Sequence, residues 1–307
     1  MSWMRRSHPL ITVVGGANID IVGIPDGSFV SRDSNPGAVR TSAGGVGRNV
    51  AETLALLGAE VRFVTAFGDD EESDRLIARC EDAGMDCTYS VRAEGVPGSR
   101  YLAVMDSGGD LAAAVNDMRA LSALTPDRVD AAAFKEADAV ALDTNLQPST
   151  IVRVAQLADG APLVLDPVST VKAAAARPVL GRLTAIKANL REAEALSGAA
   201  GAEGSALGLV EAGIPWVFVT GGHDGAWCAS ADGAFHVPAI PVQVRDATGA
   251  GDAFAAGVAW GVATGAPILE TARRALVLSA IALESASTVS PVLTQQTVDE
   301  RMEGLGL

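Results

Sequence analysis

The chain has 307 residues, 49% hydrophobic and 20% charged, apolar enough to bury a core and too apolar for a disordered or acidic-tail protein. Lys and Arg number 23 against 37 Asp and Glu, a formal charge of −14, which argues against a nucleic-acid binder with its usual basic face. Three cysteines without a Cys-x-x-Cys pair and three histidines without metal-ligand spacing leave no zinc signature, and so sparse and odd a cysteine count fits a reducing, cytoplasmic setting.

Arg5-Arg6 precede an apolar run, Leu10–Val14, that is too short for a secretion signal and runs into Gly15-Gly16 and Asp20; it reads as a first strand. Asn18 and Asp20 then fall in the loop at its carboxyl end. Residues 25–43, rich in Gly, Pro, Ser and Asp, break the rhythm before Gly44-Gly45 turn into a helix whose Val50, Leu54 and Leu57 share one face and which Gly58 stops. A strand at Val61–Thr65 and a helix at Asp70–Ala83 follow. Residues 89–114 alternate like a hairpin turning at Asp106–Asp110. Helices are then expected at 126–137, 148–158, 190–196, 202–212, 250–264, 268–284 and 295–303, with strands at 139–142, 163–165, 185–187 and 216–220. The uncharged segment Ala253–Leu269 is rich in Gly and Ala, holds Pro267 and falls short of the roughly 20 residues of a membrane span, so it reads as a buried core helix.

This βα alternation implies an α/β chain with a mostly parallel sheet between two helical layers, and the length allows one large domain with an appendage or two domains. The two strand-like inserts, about 25–43 and 89–114, are expected to pair into a small β lid over a pocket at the carboxyl ends of the strands.

P-loop, dinucleotide, zincin and serine-hydrolase motifs are all missing. The informative segment is Asp246-Ala-Thr-Gly-Ala-Gly-Asp252, which runs straight into the helical Ala253–Trp260. Small residues at a helix start let backbone N–H groups approach an anion, and the helix dipole adds partial positive charge. Asp252 sits in the same first turn, placed to accept a proton from an attacking hydroxyl while Gly249, Ala250 and Gly251 cradle a transferred phosphoryl group.

These residues resemble the C-terminal signature of the PfkB/ribokinase family of carbohydrate kinases, Asp-Thr-x-Gly-Ala-Gly-Asp, with Ala247 and Thr248 standing for Thr-x. Gly44-Gly45-Val-Gly-Arg-Asn49, Asn189-Leu-Arg-Glu192 and Thr220-Gly-Gly-His-Asp-Gly225 are similar to further family motifs, in family order over essentially the whole chain. The resemblance implies a single ribokinase-like domain over residues 1–307, a three-layer core with a β lid, with ATP as donor and Mg2+ as cofactor. Asn18 and Asp20 suit hydrogen bonds to vicinal sugar hydroxyls, and Gly44, Gly45, Asn49 and Asn145 are expected around the same sugar. Asn189 resembles the family's residue beside the nucleotide phosphates, and Glu192 its carboxylate acting on Mg2+ through water. Thr220, Gly222 and Gly225, with Gly249 and Gly251, are expected at the nucleotide. Asp246 and Thr248 match positions of a monovalent-cation site, although Glu284-Ser-Ala-Ser-Thr-Val-Ser290 departs from the usual Gly-containing loop and leaves K+ dependence open.

Within the family, Gly44–Asn49, Asn116-Asp117-Met118 and Asp166-Pro-Val-Ser169 resemble the pseudouridine kinase branch, with Asn116 and Asp117 expected together at the edge of a pyrimidine. The implied reaction is phosphorylation of a 5′-hydroxyl with Asp252 as base. Another ribosyl nucleoside, a free sugar such as ribose or fructose, and a catalytically silent sugar-binding regulator stay open as alternatives. The expected partners are ATP and the small-molecule acceptor, with neither nucleic acid nor membrane, and a homodimer through the lid edges.

Overall fold

The computed structural model describes residues 8–307, so Arg5 and Arg6 lie outside the described residues. In chain order the elements are β1 (Leu10–Val14), β2 (Asn18–Pro25), β3 (Gly37–Gly44), α1 (Val46–Leu56), β4 (Glu60–Val64), β5 (Ala66–Gly68), α2 (Glu71–Asp82), β6 (Met85–Asp86), β7 (Val91–Ala93), β8 (Arg100–Met105) and β9 (Leu111–Asp117). There follow β10 (Ala139–Asp143), α3 (Pro148–Leu157), β11 (Leu163–Asp166), α4 (Thr170–Ala173), β12 (Ala185–Asn189), α5 (Leu190–Ser197), α6 (Ala202–Glu211), β13 (Trp216–Thr220), β14 (Ala226–Ser230), β15 (Gly233–Val237), α7 (Ala250–Thr264), α8 (Ile268–Leu283) and α9 (Gln295–Leu305).

Nine strands form the main sheet in the order β15-β14-β13-β12-β11-β10-β1-β4-β6, parallel except for the antiparallel edge made by β14 and β15. Because helices cover both faces, its central strands are mostly apolar and buried on both sides rather than alternating. All five residues of β1 are buried; Ile11 and Val13 join one core with α1, α7 and α8, whereas Val14 joins the other with α3, α5 and α6. Helix α7 lies against α8 so closely that a Cβ on Gly257 would come 2.6 Å from the Ala275 Cα, which accounts for the small, uncharged residues of that segment. Among the described residues no helix is long and apolar enough to cross a membrane.

A second, four-stranded sheet in the order β3-β2-β8-β9 forms the lid. The expected boundaries shift: the first insert starts at Asn18 rather than at residue 25, and the second comprises Arg100–Asp117 rather than 89–114. Residues 91–93 instead pair with β5 in a separate two-stranded sheet. Asn18 and Asp20 are therefore not loop residues but the start of β2, whose polar and apolar residues alternate with the pleat.

The helix expected at 126–137 is broken into two short turns, Pro126–Arg128 and Ala131–Phe134. The reason is local competition. Asp130 caps a fresh turn by accepting the Ala132 N–H at 2.8 Å, and the Ala133 carbonyl is taken from outside by the Thr12 hydroxyl at 2.6 Å and by Arg62 at 3.2 Å. The hairpin of β14 and β15 and the short helical segment after Ser169 lie outside the sequence-based expectation.

Candidate active site

The N-terminus of α7 is a turn with no side-chain cap. Gly249 caps it at φ 85°, a conformation that a side chain resists, and a Cβ there would lie 2.1 Å from the Thr288 carbonyl oxygen. The first helical bond runs from the Ala253 N–H to the Gly249 oxygen at 2.9 Å, so the helix start leaves the N–H groups of Ala250, Gly251 and Asp252 without an intrahelical acceptor. Beside them a Cβ on Gly251 would lie 3.0 Å from Lys187 Nζ. Fixed N–H dipoles, a helix end and a buried ammonium thus converge on one spot, which suits phosphoryl oxygens.

Asp252 Oδ2 accepts the Asn49 Nδ2–H at 2.6 Å. Burial, reinforced by the Asp166 and Asp143 carboxylates, pushes the Asp252 carboxyl up to about 7, against the pull of Asn49 and Lys187. Near neutrality such a group takes up and gives back a proton readily.

Asn49 is aimed by its surroundings. Its Oδ1 accepts from the buried Arg48, which also donates to the Ala43 carbonyl oxygen at 3.0 Å and pairs with Glu52. With Oδ1 occupied, the amide turns its N–H toward Asp252. Gly44 and Gly45 leave room for the strand that precedes this helix: a Cβ on Gly44 would meet Asp20 Oδ2 at 2.0 Å, and one on Gly45, at φ 101°, would meet the Gly16 oxygen at 2.4 Å. Asp20 also accepts the Asn18 Nδ2–H at 2.6 Å, and burial holds its pKa above the ordinary carboxylate value despite that bond.

The lid register aligns Ser42, Asp20, Tyr101 and Asn116 in one cross-strand row. Side chains in such a row project from one face of the sheet, here the face that carries Asp20 toward Gly44. Asp117, the next residue along β9, belongs to the row of Ala43, Ile19 and Arg100 on the opposite face. It pairs with Arg119 at 2.7 Å, and that pairing holds its carboxyl down to about 2. The expectation that Asn116 and Asp117 face one base together is therefore overturned by strand alternation; Asn116 alone stands on the Asp20 side.

Toward the carboxyl ends of neighbouring strands lie three charged residues, Asp143, Asp166 and Lys187, to which the motifs assigned no role. Asp143, 1% exposed, accepts the N–H groups of Gly16 and Asn145, each at 2.8 Å, and burial pushes its carboxyl up to about 6. Asp166 and Lys187 form a buried ion pair at 2.9 Å. The half-buried Asn145 packs its Nδ2 against Gly16, where a Cβ would lie 3.1 Å away.

Asn189 and Glu192 form a capping box at the start of α5: Asn189 Oδ1 accepts the Glu192 N–H at 3.0 Å, and Glu192 accepts from the Asn189 N–H and Nδ2 at 2.9 and 2.7 Å. Glu192 is buried, and that burial raises its pKa. Both of its oxygens are already engaged, so it suits a cation approached through water. Among the described residues no group of three or more His, Cys, Asp or Glu side chains is placed to hold a metal ion.

Among the described residues, the remaining expected positions share no hydrogen bond with this centre. The Thr220 hydroxyl points to the Ala188 carbonyl at 3.4 Å, and Gly225, at φ 91°, is required by the close passage of the Val237 oxygen, 2.2 Å from a Cβ there. Gly222 borders open space. Asp246 Oδ1 accepts the Thr248 N–H at 2.8 Å in an exposed turn leading to Gly249.

Residues 8–295 match the pfkB family carbohydrate kinase model. The chain is 31% identical to the pseudouridine kinase of Escherichia coli strain K12, over 97% of this chain and 98% of that protein. It is 32% identical to an uncharacterized sugar kinase, YeiI, of the same organism, over 92% and 80%. A solved carbohydrate kinase from Agrobacterium tumefaciens superposes with a TM-score of 0.84 at 30% identity, over 97% of each chain.

Proposed function

Because the chain belongs to the pfkB family of carbohydrate kinases, and so is a sugar or nucleoside phosphotransferase, we propose that it transfers the γ-phosphoryl group of ATP to the 5′-hydroxyl of pseudouridine. The contact that carries the catalytic part is Asn49 Nδ2 to Asp252 Oδ2 at 2.6 Å, which fixes a carboxylate of raised pKa beside the open start of α7. Asp252 takes the proton of the attacking hydroxyl. The N–H groups of Ala250, Gly251 and Asp252, with Lys187 beside Gly251, receive the charge that develops on the phosphoryl oxygens. Asn18, Asp20 and Asn145 hold the ribose, and Asn189, Thr220, Gly222 and Gly225 the nucleotide. Mg2+ would neutralise phosphate charge, with Glu192 holding it through water. Asp246 and Thr248 are carried as monovalent-cation ligands on the motif alone.

A base-bearing acceptor is favoured by the row of Asp20, Tyr101 and Asn116, which offers an aromatic ring and an amide next to the ribose-binding carboxylate. A free sugar is the second reading, supported by the similarity to the sugar kinase. On the lid's other face Val39, Leu102 and Val115 are 72%, 42% and 64% exposed, which supports a homodimer closed through that sheet, tested by sedimentation. A cytoplasmic location fits an ATP-fed enzyme.

The test is ADP release from Mg2+-ATP with separate pools of pseudouridine, uridine, adenosine, ribose and fructose. Preference for pseudouridine is expected. Preference for ribose or fructose removes the base-reading role, and silence throughout favours a sugar-binding regulator.

A further inference from the structure

The turn after β11 has no part in the scheme above, yet its backbone is held in an unusual shape. Val168 sits at φ 61°, a left-handed conformation that is an outlier for a β-branched residue. Three hydrogen bonds enforce it. Asp166 Oδ1 accepts the Val168 N–H at 2.7 Å, the Pro167 oxygen accepts the Ser169 N–H at 2.6 Å, and the same oxygen accepts the Thr144 hydroxyl at 2.5 Å. Ser169 then caps α4, its hydroxyl accepting the Lys172 N–H at 3.3 Å.

The side chains next to the strained residue do not account for it by packing: Val168 is half-buried and Val171 is 89% exposed. What the turn does deliver is Lys172, whose Nζ donates to Asn145 Oδ1 at 2.6 Å. An amide can present either its oxygen or its nitrogen to a ligand. The ammonium claims the oxygen, and Nδ2 lies beside Gly16 at the entry to β2, where Asn18 and Asp20 begin.

We infer that Lys172 is a positioning residue for the acceptor: it claims the Asn145 amide oxygen while the Asp143 carboxylate takes one amide N–H, so that the remaining N–H faces the pocket and the pocket takes an acceptor oxygen with a free lone pair at that point. This rests on the reading of Asn145 as part of the acceptor pocket. Its scope is the acceptor alone, since among the described residues neither Lys172 nor Asn145 hydrogen-bonds to the start of α7.

Lys172→Met, Lys172→Arg, Asn145→Ala and the Lys172→Met/Asn145→Ala double variant would be compared by steady-state kinetics and by calorimetric titration of pseudouridine, uridine and ribose without ATP. Loss of one charge-assisted hydrogen bond predicts an acceptor KM raised about 10–100-fold in Lys172→Met, with the KM for ATP and the melting midpoint unchanged. Lys172→Arg should recover most of the loss, and Lys172→Met should add less than about twofold in the Asn145→Ala background, because the two act as one unit. An acceptor KM within twofold of the native value, an equal rise in the KM for ATP, or full additivity overturns the inference. If the native chain turns over none of these acceptors, the kinase reading fails by itself and calorimetry decides the role of Lys172: acceptor binding that Lys172→Met abolishes supports it, and the absence of binding by the native chain refutes it.

Discussion

Asp252 is kept where its charge is poorly solvated, so removing the charge should stabilise the fold while it abolishes the chemistry. Its carboxyl sits at about 7 in the folded chain against an ordinary 3.8, with burial the largest cause. Between these values the folded chain keeps a proton that the unfolded chain has already released, so folding stability falls as pH rises through this interval and the full loss is present above about pH 7. At about 1.4 kcal/mol per pH unit the upper bound is about 4 kcal/mol, and the partial exposure of the residue to water reduces it to about 2–3 kcal/mol. Asp252→Asn keeps an oxygen to accept the Asn49 N–H and carries no charge. Urea unfolding followed by tryptophan fluorescence should find the variant more stable by about 2–3 kcal/mol at pH 8, with an advantage smaller by about 1–2 kcal/mol at pH 5.5. ADP release should fall by about 10²–10⁴ in kcat. A variant less stable than the native chain at both pH values, or one whose advantage does not grow with pH, refutes the picture of a desolvated carboxylate.

Lys187→Met strips the partner from a buried Asp166 and should cost about 3–5 kcal/mol in the same assay, most of it regained in the Asp166→Asn/Lys187→Met double variant; equal stability of the single and double variants would count against the ion pair. The two glycines of the anion turn should part company. Gly249→Ala drives a Cβ to 2.1 Å from a backbone oxygen and should lower the melting midpoint, whereas Gly251→Ala meets only the side-chain end of Lys187 at 3.0 Å and should fold nearly normally while losing at least about tenfold in kcat. Tyr101→Ala should raise the KM for pseudouridine about tenfold and leave that for ribose unchanged, the size expected for one lost base–aromatic stack; a parallel change for both acceptors removes Tyr101 from base recognition.

The parts of the fold legible in the sequence are those whose signal is local. Helix α7 is announced by Gly249 and by its uncharged run, and Gly58 marks the end of the helix that presents Asn49. The lid strand β2 was obscured because Gly15-Gly16 imitates the end of an element, although Asn18-Ile-Asp-Ile already carries a two-residue period. The segment 126–137 misleads because Ala131–Ala133 has high helix propensity while the carbonyl competition from Thr12 and Arg62 comes from strands far away in sequence. The site divides the same way. Gly44, Gly45 and Gly249 are visible because the backbone itself demands glycine there. Lys187, Asp166 and Asp143 have a subtler mark, a charge within or at the end of an otherwise apolar strand; a charge buried between two helical layers needs partners, and those partners are known only once the strand order is.

That strand order explains why so much negative charge is tolerated in one place. β1, β10, β11 and β12 are consecutive in the sheet, so their carboxyl ends gather Asp143, Asp166, Lys187 and the Asn189–Glu192 cap along one edge, and α7 brings Asp252 over it. Against four carboxylates stand Lys187, Arg48 behind Asn49 and the positive ends of α1 and α7, with Asp143, Glu192 and Asp252 all shifted toward the neutral form as a further relief. A triphosphate arriving bare would add its charge to this edge and meet repulsion from the carboxylates, whereas one that brings a divalent cation supplies the neutralisation that the side chains leave incomplete. The same balance holds Asp252 close to the point at which taking a proton and giving it back cost nearly the same, as the base role proposed for it requires.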